Sequence, residues 1–94
     1  MITPDQEPMM RITYHADDDH GWLFISNELL AELKLSQESF SPYSYHDDAG
    51  VYAEEDCDSQ IVIKAIQEHG KRLVFKELHH AGSHWIRDLK RCGV

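Results

Sequence analysis

Met10, Ile12 and Tyr14 alternate with Arg11, Thr13 and His15, the period of two that marks a strand with one buried face. Ala16-Asp-Asp-Asp-His-Gly21 is turn chemistry, and Trp22-Leu-Phe-Ile25, apolar on both faces, reads as the returning, central strand. A helix is expected at once, capped by Ser26 or Asn27, with Glu28 where the macrodipole favours an acid. Leu29, Leu30 and Leu33 form its buried stripe, and it ends near Leu35.

The pattern then recurs. After the connector Ser36–Pro42, Tyr43 and Tyr45 alternate with Ser44 and His46 as a third strand. His46-Asp-Asp-Ala-Gly50 is a second acidic turn, and Val51 to about Glu54 a fourth strand. A second helix is expected from Asp56 or Asp58 to His69, with Ile61, Val62, Ala65 and Ile66 buried and Gly70 as the stop. Lys71–Leu78 reads as a fifth strand. Beyond it the chain is an irregular tail or a last helical turn capped by Ser83, with Trp85 and Leu89 on one face.

The order ββα-ββα-β predicts an α+β fold, a mainly antiparallel sheet of about five strands with two helices on one face. Thr13-Tyr14-His15 before Gly21 echoes Ser44-Tyr45-His46 before Gly50. An old duplication would produce that likeness, and so would any capped ββα unit; the second explanation is preferred. Residues 1–8, with two prolines and no periodicity, are expected to be a flexible leader to a single domain over 9–94. If both helices cover one face, the other lies open unless the tail or a second copy covers it, and a two-fold copy is the commonest partner.

Composition narrows the function classes. Hydrophobic residues at 41% and charged ones at 28% describe a folded globular chain. No apolar run is long enough to span a membrane and no export signal is apparent, so a cytoplasmic protein with free thiols is expected. The net charge of −8 is uneven: residues 1–60 hold fourteen acids and two bases, residues 61–94 three acids and seven bases. That acidity argues against nucleic acid as a partner. The basic tail from about residue 79 is expected to fold back onto the acidic half.

The densest chemistry lies in Glu54-Glu-Asp-Cys-Asp58. Cys57 is the catalytic candidate, a thiol at a helix start, but four carboxylates around it disfavour a thiolate. The preferred reading has Asp56 or Asp58 capping the helix and Cys57 packed beneath Ile61. Of the seven histidines, His79, His80 and His84, with Glu77 and help from Asp17–Asp19, supply the donor types of a divalent metal site, without any zinc-module spacing. Asp17, Asp18, Asp19, Asp47, Asp48, Glu54, Glu55 and Asp56 form the expected binding surface, an acidic edge.

The function expected is therefore binding or regulation through an acidic surface and an open sheet face, without a cofactor, as a homodimer that meets a further protein. A metal-binding or metal-dependent protein using the late histidines is the first alternative, and a Cys57-dependent hydrolase or transferase the second.

Overall fold

A computed structural model describes residues 9–82 and 84–93. The expected leader, and Ser83 as a cap, lie outside the described residues.

Strands β1 (Met9–Ala16) and β2 (Gly21–Ser26) form the first hairpin, followed by helix α1 (Asn27–Glu32). Ser26 caps α1 by accepting the Leu29 backbone N–H at 3.2 Å. A 3-10 turn over Gln37–Ser39 leads to the second hairpin, β3 (Tyr45–Asp47) and β4 (Gly50–Glu54), and then to α2 (Ser59–Glu68). β5 (Arg72–His79), a 3-10 turn over Trp85–Asp88 and β6 (Lys90–Arg91) complete the chain.

The fold is α+β, with six strands in the order β5-β1-β2-β4-β3-β6. Five strands were expected; the sixth is the two-residue β6, paired with β3. The sheet is mixed rather than wholly antiparallel, because β5 runs parallel to β1, from Met9↔Arg72 to Ala16↔His79. The cause lies in the connection. β4 is antiparallel to β2 and so runs with β1, and the α2 crossover brings the chain back to the end where β4 began. A strand delivered that way is parallel to β4 and therefore to β1.

Alternation sorts the residues onto two faces. Ile12, Leu23, Ile25, Val51 and Ala53 pack against Leu29, Leu30 and Leu33 of α1 and Val62 and Ile66 of α2. Both helices thus lie on one face, as the pattern required. On the other face Trp22, Tyr45 and Tyr52 are covered by Ile86 and Leu89 of the tail. The expected open face is therefore closed over β2, β4 and β3. It remains uncovered beside β5, where Leu78 is 44% exposed. No helix among the described residues is long and apolar enough to cross a membrane.

The two ββα units are not copies in detail. β1 has eight residues and β3 three, and Tyr14 packs on the helix face whereas Tyr45 packs on the tail face.

Candidate functional site

The register Trp22↔Glu54 and Ser26↔Gly50 sets the Asp17–His20 turn and the Glu54–Asp58 junction at one end of the sheet, and the Asp47–Ala49 turn at the other. The expected acidic edge is thus divided between two ends. Each turn uses its first aspartate structurally. Asp47 Oδ1 accepts the Ala49 N–H at 2.9 Å and the Gly50 N–H at 3.3 Å, and its Oδ2 accepts the Tyr52 hydroxyl. Asp48 is exposed.

Asp17 is not a surface group; it is 6% exposed beneath the tail. Its carboxylate accepts the Asp19, His20 and His84 backbone N–H groups and both Arg87 Nε, at 2.7 Å, and Nη2, at 3.1 Å. The Arg87 guanidinium, together with these N–H donors, holds its carboxyl well below the usual carboxylate range. The basic tail is thus folded back onto the acidic half as expected. Asp18 is exposed, accepts the Gly82 N–H at 3.0 Å and lies 3.3 Å from His79 Nε2; Asp19 is exposed as well.

At the junction, Glu54 is buried, and its Oε2 accepts the Asp56 and Cys57 N–H groups at 2.8 and 2.7 Å. Its Oε1 lies 3.8 Å from His20 Nδ1. Glu55 accepts the Tyr14 hydroxyl, and burial together with that carboxylate pushes the phenol pKa up. Asp58 is not the side-chain cap that was expected. It accepts Ser41 N–H, Ser41 Oγ–H and Ser44 Oγ–H, tying the 41–44 loop to the start of α2.

Cys57 does not pack beneath Ile61; it is exposed, in the turn before α2. Desolvation and then Glu54, Asp58 and Asp56 push its thiol above the ordinary value. A thiol held protonated among carboxylates is a poor nucleophile. Cys92 is the buried cysteine, and burial raises it to about 11.

The late metal candidates separate. Glu77 lies on the helix face, paired with Tyr14, and lines a cleft of about 440 Å³ with Tyr14, Glu55 and Phe75. His79 points to Asp18, while His80 meets the His84 ring edge-on on the tail face. Among the described residues, the side chains that do converge are His20, Glu54, Glu55 and Asp56, with donor atoms within 4.8 Å of one another. One imidazole and three carboxylates suit a divalent ion. The spacing of His20 in the sequence gives no hint of this; strand pairing brings it there.

On the tail face the His84 ring touches His15 and His80, with centroids 5.1 Å away in each case, and also lies against Trp22 and Trp85. His84 Nδ1 accepts the Ile86 N–H, so the neutral ring carries its proton on Nε2 and caps the 3-10 turn. Burial lowers the pKa of both His15 and His84; for His84 the neighbouring His15, His80 and Arg87 lower it further, against the opposing pull of Asp17. A depressed histidine stabilises the fold above its unfolded value of 6.5, and that stability is lost as pH falls through the folded value. The urea midpoint is therefore expected to drop as the pH falls below the unfolded value of 6.5. His15→Phe, which keeps the aromatic contacts, flattens the drop, whereas a level wild-type profile would contradict it.

A further pocket of about 210 Å³ opens on this face, lined by His20, Trp22, Tyr43, Tyr45, Glu54, Arg87 and Arg91. Sequence reasoning singled out Glu54 there but did not gather the rest, because Arg87 and Arg91 reach it only through the tail's return. Comparison of the chain with protein-family models, curated proteins and solved structures finds no match to any of them.

Proposed function

We propose that this is a small cytoplasmic binding protein without chemistry of its own, which works as a two-fold dimer joined through β5. The dimer offers the acidic ends of its two chains, with Glu55, Asp56, Asp18 and Asp19, to a positively charged protein. The observation that carries this is the free edge of β5. It is eight residues long and pairs with β1 on one side and with no strand on the other among the described residues. It has neither a proline nor a bulge, and its charged residues, Arg72, Lys76 and Glu77, are of both signs, while Phe75 and Leu78 are 50% and 44% exposed. The opposite edge, β6, is two residues long and offers little to pair with.

Charge favours a second copy centred on Phe75 over the registers centred on its two neighbours. Two-fold antiparallel pairing keeps like faces together, so residues of the same parity oppose each other. Centred on Phe75, it sets ring against ring and Val74 against Lys76 with no like charges opposite. Centring on Val74 or on Lys76 brings Arg72 against Lys76 or Lys76 against itself, which is unfavourable.

Light scattering is expected to give twice the 10.9 kDa of one chain, and Phe75→Lys, which opposes two cations, to return it to the monomer. Val74→Glu keeps the dimer, because each new carboxylate faces a Lys76, adding about 0.2–1 kcal/mol per pair. A wild-type monomer at all concentrations, or a dimer lost with Val74→Glu and kept with Phe75→Lys, overturns the proposal.

A further inference from the structure

We infer that the pocket between the tail and β2–β4 is a binding site for a small zwitterion, an amino carboxylate whose acid end meets Arg91 and whose ammonium end meets Glu54. This goes beyond the dimer and does not depend on β5.

Four groups lining the pocket have hydrogen-bonding capacity left over among the described residues. Arg91 lies 5.6 Å over the Tyr45 ring and makes only a 3.5 Å contact to the Pro42 carbonyl, with no carboxylate partner. Arg87 spends Nε and Nη2 on Asp17, leaving Nη1 free while its guanidinium covers the Trp22 ring at 5.2 Å. Glu54 uses Oε2 for two backbone N–H groups and keeps Oε1 for a cation, with His20 3.8 Å away. Trp22, 2% exposed, has a buried indole Nε1–H with no acceptor. An orphaned buried donor is rare and costs about 1–3 kcal/mol.

The charges decide the class of ligand. Arg87 is neutralised by Asp17, so the pocket presents one unspent cation, Arg91, and one unspent anion, Glu54. A plain carboxylate is repelled by Glu54 and a plain amine by Arg91. A molecule carrying both charges satisfies both groups, and its carbon body rests on Trp22 and Tyr45, with Tyr43 at the rim. The volume of about 210 Å³ lies below the range of drug-sized pockets, about 300 Å³ upward, which fits a short amino acid.

The test is a nuclear magnetic resonance titration of the two indole N–H signals, assigned with Trp85→Phe. The probes are glycine, β-alanine and γ-aminobutyrate, which step the charges apart, with acetate, methylammonium and magnesium chloride as controls. The expected result is a saturable shift of the Trp22 signal by at least one zwitterion below about 10 mM, weakened about tenfold by Arg91→Gln and by Glu54→Gln. Arg91 is exposed, so its replacement leaves the fold intact and keeps the test decisive. The inference is overturned if no zwitterion moves the Trp22 signal in a well-dispersed spectrum, if acetate or methylammonium alone binds as tightly, or if only magnesium does. Failure here with an intact dimer leaves the β5 reading standing, and the reverse holds equally.

Discussion

Asp17→Ala is expected to destabilise the fold by about 3–5 kcal/mol, a large part of the stability of a small domain. The substitution strips the buried acceptor from the Asp19, His20 and His84 N–H groups and from Arg87 at the same time, and the His84 N–H is left in a buried residue. The tail then loses the anchor that sets Ile86 over Trp22 and Tyr52. Arg87→Ala costs less, because the backbone N–H groups still satisfy the carboxylate. Urea unfolding of the two single variants and the double variant checks this, and equal costs for the singles would contradict it. The pH dependence has a definite sign. Since Arg87 and the N–H donors depress Asp17, its contribution is present above the unfolded value of 3.8 and is lost progressively as pH falls below it. In wild type this loss follows the histidine loss at higher pH; in Asp17→Ala the histidine phase remains and the acid phase is reduced by the share of Asp17.

The contrast between these two phases shows what a linear sequence carries. Strand β1 and both helices were legible because their burial follows a period, as in Met10-Ile12-Tyr14 or Leu29-Leu30-Leu33, and β2 and β4 as short apolar runs that follow turn residues. The partner of β5 was not, since period fixes which face a strand buries but not its neighbour. The tail's return was legible only as a balance of charge. The pair that carries it, Asp17 and Arg87, spans seventy positions, and nothing local marks Asp17 as different from Asp18. The same holds for the site. Glu54–Asp56 stood out as a run, yet His20 joins it through the register of β2 with β4, and Arg91 through the pairing of β6 with β3. Cys57 was misplaced because thiols are usually buried. Here α2 begins only at Ser59, which leaves Cys57 in the exposed turn before it.

The likeness of the two acidic turns ends at their glycines, and their replacement separates the two units by experiment. Gly21 opens β2 and Gly50 opens β4, and both read in sequence as turn glycines. A Cβ on Gly21 would sit 1.9 Å from the Tyr14 hydroxyl oxygen, the far end of a side chain that can swing away. Gly21→Ala is therefore expected to cost about 1–2 kcal/mol, chiefly by taking Tyr14 off Glu55. A Cβ on Gly50 would sit 2.0 Å from the Ile25 carbonyl oxygen, within the central β2–β4 pairing, and at a φ of 157° that side chains rarely adopt. Backbone held by a ladder cannot move aside as a tyrosine can. Gly50→Ala is expected to cost about 3 kcal/mol or more, clearly above the Gly21 effect. Urea midpoints of the two alanine variants decide it: a duplicated turn predicts equal losses, and the geometry described here predicts that Gly50 is the greater by a clear margin.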